Sequence, residues 1–270
     1  MKSAERQRVI VERLRGTEQV GVAELAEVTG ASEMTVRRDL DHLAARGVLR
    51  RVHGGAVPAS PSGVEPPFAA RATASIAAKR AIAAAAAELI SDGETVVLDS
   101  GTTALELARL LRERSVTVMP LSLHAARELA DAPHVRLLLP GGEPRPGEQA
   151  LVGPLTLASL RALRFDVAVL SPCAFGLEAG LTAFDLADAE VKQQALAVSA
   201  RSIVLADSAK WGRVSLAHVC PADRPDVLIT DPGAPADQRA ALAERGVLVH
   251  IAVPPGNFAE DVPENHTENR

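Results

Sequence analysis

The stretch Val96–Leu111, VVLDSGTTALELARLL, joins a short apolar run to a turn and then to an amphipathic segment. The apolar run ends at Asp99, and Leu105, Ala108 and Leu111 share one face of the helix that follows the Ser-Gly-Thr-Thr turn. A turn of small residues at the start of a helix leaves backbone N–H groups free to bind a phosphate. This stretch therefore predicts a strand–turn–helix unit of an α/β domain, with an anion site at the turn.

The same pattern continues along the chain from about Ala77 to Val253. Apolar strands that alternate with helical segments are typical of a parallel sheet covered on both faces. The sequence predicts an α/β fold here, with a doubly wound, mostly parallel sheet. The predicted strands are 95–98, 116–119, 135–139, 166–170, 202–206, 227–230 and 247–253.

Composition places the chain among soluble globular proteins. It has 270 residues, 47% of them apolar and 23% charged, which is enough for about two domains with sizeable cores. No apolar run reaches the roughly 18 residues that a membrane span needs, and the N-terminus lacks a signal-peptide core. Cys173 and Cys220 lack metal-ligand spacing. We expect a cytoplasmic protein with reduced thiols, no metal or other cofactor, and no membrane partner.

The first 57 residues have a different pattern from the rest. They contain ten Lys and Arg against eight Asp and Glu, whereas the whole chain has a net charge of −5. A helix that ends at Gly30 is followed by a second one predicted from Ser32, as N-cap, to Gly47. Val36, Leu40 and Leu43 share the core face of this second helix. A mildly basic module of this layout is typical of a helix-turn-helix domain with a hairpin wing.

The second helix carries the candidate DNA contacts. Thr35, Arg37 and Arg38 lie in its first turns, and a guanidinium group suits guanine edges and phosphates. On the wing, which alternates Val48 and Val52 with basic residues, further contacts to the DNA backbone or minor groove are expected from Arg50, Arg51 and His53. The alternative is a small helical domain whose arginines are merely solvated.

Four segments follow from these patterns. Residues 1–57 are predicted to form a winged helix-turn-helix domain, and the Pro- and Ser-rich residues 58–67 a linker. Residues 68–255 are predicted to form an effector domain. The acidic, aperiodic residues 256–270 are predicted to be a disordered tail.

Polar residues follow most of the predicted strands, at the edge where parallel sheets bind ligands. The turn after the first strand contains Gly101, Thr102 and Thr103. The later strand ends add the following residues: Ser122, Gly141, Gly142, Glu143, Ser171, Asp207, Ser208 and Lys210. Such a set suits a polar anionic ligand. The alternative is that these are ordinary turn residues.

Lysine usage supports the anion reading. Only four of the 29 lysine and arginine residues are lysines, so arginine is the usual basic residue of this chain. A lysine in LADSAKWG, Lys210, and another in DLADAEVKQQAL, Lys192, indicate sites that require a compact ammonium group. For Lys192, a solvated helix surface is an equal alternative.

The stretch ELAEVTGASEMTVRRDLDHLAARGVLRRVHGGAV resembles the helix-turn-helix signature of the DeoR family of bacterial transcriptional regulators, and the resemblance continues over about residues 3–253. It implies base and phosphate contacts from Ser32 through Arg38, which includes Met34. It also implies double-stranded operator DNA as a partner and a role as a repressor of carbohydrate-metabolism genes.

The segments LDSGTT, LPGGE, LVGP, GLTAFDLADAEVK and LADSAKWG resemble the effector domain of that family, which is similar in fold to ribose-5-phosphate isomerase. The resemblance implies a phosphorylated sugar or sugar acid as effector. The implied effector-binding residues are Asp99, Gly101, Thr102, Thr103, Glu190, Lys192, Asp207 and Lys210.

Two positions depart from the family pattern. Leu121 stands where an Asn is usual, and residues 171–174, Ser-Pro-Cys-Ala, replace a segment of the Gly-Ala-Asp-Gly type. A sugar isomerase needs a general base near the substrate carbon, and the acid expected in this segment is missing. We therefore expect a regulator without catalysis; the alternative is a sugar-phosphate isomerase with an appended DNA-binding module. Symmetric half-sites would favour a homo-oligomer, a dimer or tetramer.

Overall fold

The computed structural model describes residues 3–14, 19–45, 49–58 and 65–254. The chain divides into two compact units between Val64 and Glu65, a point inside the segment predicted to be a linker. The predicted helix end at Gly47, residues 59–64 of the predicted linker and the predicted tail 256–270 lie outside the described residues.

The N-terminal unit is a three-helix domain with a small antiparallel sheet. Its elements are α1 (Ser3–Leu14), β1 (Val20–Gly21), α2 (Val22–Thr29), α3 (Glu33–Ala45), β2 (Leu49–Val52) and β3 (Gly55–Pro58). Strands β2 and β3 form the predicted wing, and β3 also pairs with β1. A Cβ atom at Gly55 would lie 2.2 Å from the Val20 carbonyl oxygen, so only glycine lets these strands approach.

Helix α3 is positioned by a cap and a buried face. The backbone N–H of Thr35 donates to the Ser32 hydroxyl at 3.3 Å, which confirms Ser32 as the N-cap. Val36, Leu40 and Leu43 are buried in the core of this unit, as predicted. The opposite face of α3, which begins with Met34, is therefore left to solvent.

Asp39 fixes α3 to α1. Its carboxylate is buried, pairs with Arg6 and accepts a hydrogen bond from Gln7 at 3.1 Å. Burial alone would raise the pKa of Asp39, but the hydrogen bonds from Arg6 and Gln7 outweigh it and lower the pKa below its ordinary value. The Asp of the Arg-Arg-Asp-Leu motif is thus structural, while its arginines remain available for contacts.

The C-terminal unit has alternating helices and strands. Its helices are α4 (Phe68–Thr73), α5 (Ile76–Glu88), α6 (Thr102–Leu111), α7 (Leu123–Leu129), α8 (Pro154–Arg161), α9 (Leu186–Ala197) and α10 (Ala236–Glu244). Its strands are β4 (Thr95–Leu98), β5 (Thr117–Pro120), β6 (Arg136–Leu137), β7 (Glu143–Pro144), β8 (Leu151–Val152), β9 (Phe165–Leu170), β10 (Ala174–Gly176), β11 (Gly180–Ala183), β12 (Ser199–Leu205), β13 (Ala217–Cys220), β14 (Val227–Thr230) and β15 (Leu248–Ile251).

All seven predicted strands join one sheet, in the order β15-β14-β12-β9-β4-β5-β6, and every pairing in it is parallel. The chain winds from β4 towards one edge and then returns to β9, beside β4, before it winds towards the other edge. The predicted doubly wound fold is therefore confirmed. Its topological switch point lies between β4 and β9, which is where such sheets open a crevice for ligands.

Helices cover both faces of this sheet, and each face has its own apolar core. Val96 and Leu98 of β4 point to the core that includes Leu107 of α6, whereas Val97 points to the core that includes Val191 of α9. The strands that the sequence did not predict are short and lie outside the main sheet. They are the hairpin β7-β8 and the small antiparallel sheet β10-β11-β13.

Among the residues described, no helix has the length and apolar character to cross a membrane.

Candidate nucleic-acid interface and anion site

The predicted DNA contacts cluster on the first turns of α3 and on the wing. Ser32, Met34, Arg37 and Arg38 are exposed there, and Met34 presents 61% of its surface to solvent although it is apolar. Thr35 is half-buried, and its hydroxyl lies 2.9 Å from that of Ser32. The face opposite the core thus combines two guanidinium groups, two hydroxyls and a methionine, which suits base edges and phosphates.

The basic residues of this face differ in how they are held. Arg37 pairs with Glu33 one turn earlier, at 3.2 Å. Arg51 is half-buried on the wing, where its Nε lies 2.9 Å from Asp41 and its guanidinium donates to the Gly55 carbonyl. Arg51 therefore links the wing to α3 as well as being a candidate contact. Arg50 is half-buried and His53 exposed on the same wing.

Arg38 differs from its neighbours. Its side chain is exposed, and it forms no hydrogen bond or ion pair with any residue in the described ranges. Since it also lies opposite Val36 and Leu40, its removal leaves the core of the unit untouched.

At the switch point of the larger sheet, Asp99 joins the ends of β4 and β9. Its side chain is buried and accepts hydrogen bonds from the backbone N–H groups of Ser100, at 2.7 Å, and Ser171, at 2.8 Å. Gly101 follows with φ +112°, and a Cβ atom there would lie 3.3 Å from the Ser171 hydroxyl. The turn before α6 and the end of β9 are thus held against each other, as the strand-end prediction requires.

Lys192 lies beneath this turn and is buried between two carboxylates. Its ammonium nitrogen is 2.8 Å from Asp99 Oδ1 and 2.8 Å from Asp188 Oδ1. Burial opposes the charge, but Asp188 and Asp99 raise the pKa of Lys192 above its ordinary value. Burial also raises the pKa of Asp99. Lys192 lowers this pKa, but the nearby Asp188 carboxylate raises it again, so the rise is offset only in part. The solvated-surface alternative for Lys192 is wrong.

The structure does not bring Glu190 to this site, which corrects its assignment. Glu190 is exposed on α9. Asp188 and Lys192 are four residues apart and share the buried face of the helix, so the residue midway between them points to the opposite face. Asp188 is the acid of this cluster, and the i,i+4 spacing to Lys192 was the sequence signal for it.

Lys210 approaches the same turn from the far side of Ser171. Its Nζ donates to the Ser171 hydroxyl at 3.0 Å and to the Leu205 carbonyl at 3.4 Å, and no carboxylate of the described residues lies within ion-pair distance. Burial lowers the pKa of Lys210 to about 8, although Asp207 opposes this. Lys210 is therefore a desolvated ammonium group without a direct counter-ion, beside a helix N-terminus.

The two threonines of the turn are buried at the start of α6. Thr102 and Thr103 are 6% and 0% exposed, and the hydroxyl oxygen of Thr103 has no hydrogen-bond partner among the described residues. An unpartnered buried hydroxyl is costly, so it requires an explanation such as a bound ligand or water. The first N–H groups of α6 lie at the same place.

Asp207 lies two residues after the end of β12 and is buried. Its carboxylate accepts a hydrogen bond from the Ala209 N–H at 3.0 Å and so caps the short turn that carries Lys210. Two further cations, which the sequence analysis did not select, face Asp207. They are Lys79 of α5, whose Nζ donates to the Ala74 carbonyl at 2.6 Å, and Arg213.

Lysine scarcity could have identified Lys79, because three of the four lysines of the chain lie at this site. No comparable signal marks Arg213 among so many arginines.

An ion-pair network fixes the first residues of the C-terminal unit. Glu65 lies 3.0 Å from Arg145 and 3.4 Å from Arg71, which also pairs with Glu148. Arg145 in turn lies 3.5 Å from Asp185, the N-cap of α9. The part of the predicted linker that begins at Glu65 is therefore anchored to the sheet domain.

The two departures from the family pattern have different consequences. Leu121 is 1% exposed and forms part of the core, so no polar group replaces the usual Asn. Ser171 is a hydrogen-bonding member of the site, whereas Cys173 is a thiol whose pKa burial raises to about 11. The segment thus contributes neutral groups only.

Comparison with known proteins agrees with both parts of this arrangement. Residues 6–62 match the DeoR-like helix-turn-helix domain, and residues 74–232 match the DeoR C terminal sensor domain. The HTH-type transcriptional regulator GlpR of Haloferax volcanii is 34% identical over 92% of this chain and 98% of its own. The transcriptional repressor AccR of Agrobacterium fabrum is 36% identical over 85% of this chain and 90% of its own.

A more distant relative is the glycerol-3-phosphate regulon repressor of Escherichia coli K12, 28% identical over 93% of this chain and all of its own. Ribose 5-phosphate isomerase A of Methanocaldococcus jannaschii is 18% identical and matches 49% of this chain and 53% of its own, with a TM-score of 0.37. The two domain matches and the full-length relatives show that the chain belongs to the DeoR family of DNA-binding transcriptional regulators.

Proposed function

We propose that this regulator is a repressor of carbohydrate-metabolism genes, and that a phosphorylated sugar bound at the switch point changes its affinity for operator DNA. The names of its relatives support this reading, since they include repressors and one regulon named for glycerol 3-phosphate. Control of this kind requires that the effector binds two arrangements of the protein with different affinity.

The observation that carries the proposal is the environment of Lys210. A partly buried ammonium group is costly unless it meets an anion, and the hydrogen-bond partners of Lys210 are a serine hydroxyl and a main-chain carbonyl. The open N-terminus of α6 and the buried hydroxyl of Thr103 lie at the same turn. A phosphate there would receive a charge-assisted hydrogen bond from the lysine as well as backbone N–H groups.

The same geometry favours sensing over catalysis. Asp99 and Asp188 are both bound to Lys192, and Asp207 caps the short turn that carries Lys210, so each of these carboxylates is already engaged by neighbouring groups. A general base must instead release and accept protons near neutral pH. We infer that the protein does not interconvert aldoses and ketoses; measurable turnover in a coupled isomerase assay would contradict this.

Operator recognition is proposed to use a homo-oligomer, a dimer or tetramer, in which two α3 helices read symmetric half-sites. One recognition helix buries too little surface for high specificity on its own. Sedimentation of the full chain, with and without operator, tests this part directly.

Arg38→Ala tests the proposed recognition face. We expect specific operator binding to weaken by about 1–3 kcal/mol, because a guanidinium contact to a base edge or phosphate is lost. The fold should be unaffected, since Arg38 lies opposite the core face. Operator titrations at fixed salt measure the loss. The matched control is Arg13→Ala on α1, exposed in the same unit, and equal affinities for both variants would contradict the assignment.

The class of effector is tested by thermal unfolding of the full chain with sugar phosphates and with the same sugars unphosphorylated. We expect only a phosphorylated sugar to raise the melting temperature, because the anion supplies most of the binding free energy. Trp211, the one tryptophan of the chain, lies in the sensor domain and is buried, so its fluorescence reports on this domain. Equal stabilisation by a neutral sugar would contradict the phosphate site.

A further inference from the structure

Arg213 follows Lys210 by three residues, and the backbone between them is fixed. The buried ring of Trp211 packs edge-on against Phe175, with 4.7 Å between ring centroids. Gly212 has φ +67°, and its N–H donates to the Phe175 carbonyl at 2.9 Å. The main chain therefore places the side chain of Arg213, without any help from contacts of the guanidinium group itself.

That guanidinium group is half-buried and lacks a direct partner. It forms no hydrogen bond or ion pair with any residue of the described ranges. Burial lowers the pKa of Arg213, and the nearby Asp207 carboxylate opposes this only in part. A partly desolvated charge without hydrogen bonds reduces the stability of the ligand-free protein. Such an arrangement is expected where an external anion completes the site.

The charges around Asp207 do not balance. Lys79, Lys210 and Arg213 all face this one carboxylate, and the neighbouring Cys173 thiol is neutral at physiological pH because its pKa is about 11. The other charged neighbours are in ion pairs of their own: Arg71 with Glu65 and Glu148, and Glu106 with Arg80 and Arg109. One carboxylate therefore faces three cations here, and the neighbouring cluster of Lys192, Asp99 and Asp188, which has one cation and two carboxylates, offsets only part of this excess.

We propose that Arg213 is an anion-binding residue of the sensor domain, and that it binds the phosphate group of the effector together with Lys210. This inference rests on the proposed function, because it assigns a further residue to the same site. A planar guanidinium group can bind two phosphate oxygens at once, whereas the ammonium group of Lys210 acts as a point charge.

The test compares the wild-type full chain with Arg213→Gln and with the control Arg224→Gln, which removes an exposed arginine of the same domain. Trp211 fluorescence follows thermal unfolding in chloride, gluconate, sulfate and inorganic phosphate at equal ionic strength. Sulfate and phosphate stabilise folded proteins in general, so the measure is the difference between variants in each salt. We expect Arg213→Gln to bind phosphate about 10- to 100-fold more weakly than wild type and the control.

In chloride, Arg213→Gln should melt at or above the wild-type temperature, because it loses an unpaired charge. A clear drop would show that Arg213 has a structural role and would overturn the inference. Equal responses of Arg213→Gln and wild type to phosphate would also overturn it, as would stabilisation of wild type by gluconate to the same extent as by phosphate.

Lys210→Met in the same salts separates this inference from the proposed function. If phosphate stabilises Arg213→Gln as it does wild type but fails to stabilise Lys210→Met, the inference is wrong and the proposed site remains. If phosphate stabilises wild type no more than Lys210→Met and Arg213→Gln, both the inference and the proposed site are wrong. Loss of the phosphate response in both variants, with Arg224→Gln unchanged, supports both.

Discussion

Lys192→Met should lower the free energy of unfolding of the sensor domain by about 3–5 kcal/mol. The ammonium group lies 2.8 Å from both Asp99 and Asp188, and all three side chains are buried. Methionine fills a similar volume, so the loss comes from two buried carboxylates that have no cation. Urea unfolding followed by the fluorescence of Trp211 measures the change in the correct domain.

The pH dependence of this variant has a definite sign. Burial already raises the pKa of Asp99, and without the lysine this folded-state pKa should rise further above its unfolded value, so protonation favours the folded state. The difference in stability between variant and wild type should therefore shrink as the pH falls from neutral towards 4. The control is Glu190→Met, which removes an exposed charge from the same helix and should change stability by less than about 0.5 kcal/mol. Similar losses in both variants would contradict the buried cluster.

The seven strands of the main sheet could be predicted because each is a short apolar run, and parallel packing buries the central ones on both faces. The core face of α3 could be predicted for a similar reason, since Val36, Leu40 and Leu43 follow helical periodicity. The periodicity of apolar residues predicts which positions are buried and gives little information on other features of the fold. The strands β10, β11 and β13 are only three or four residues long and contain glycines and polar residues, so no pattern separates them from turns.

The site was predictable where rare residues or strand ends marked it, and not where partners come from distant parts of the chain. Asp99 and Gly101 follow a strand, and Lys210 is one of four lysines. Glu190 was assigned from resemblance alone, although helical geometry puts Asp188 on the face of Lys192. Arg213 could not be selected from the sequence, because it differs from the other arginines only in that its half-buried guanidinium group has no hydrogen-bond or ion-pair partner among the described residues.

Lys210→Met should abolish the response to effector while leaving operator binding intact. Loss of a charge-assisted contact to phosphate should reduce effector affinity by about 1.5–3 kcal/mol, or roughly 10- to 150-fold. Operator affinity without effector should stay at the wild-type level, because position 210 belongs to the sensor unit and α3 to the other. In a repressor that effector releases from DNA, this variant represses permanently. Operator isotherms with and without the stabilising phosphosugar distinguish it from wild type.

The stability of the same variant provides an independent check on the lysine. Because burial lowers the pKa of Lys210 from its ordinary value to about 8, its ammonium form costs stability below pH 8. That cost should disappear as the pH rises from about 8 towards 10.5, so ligand-free wild type gains stability in this range relative to Lys210→Met. At pH 7 the variant should therefore melt above wild type without effector and below it at saturating phosphosugar. A variant that melts lower in both conditions would show that Lys210 supports the fold, and a wild-type response to effector would show that it binds no phosphate.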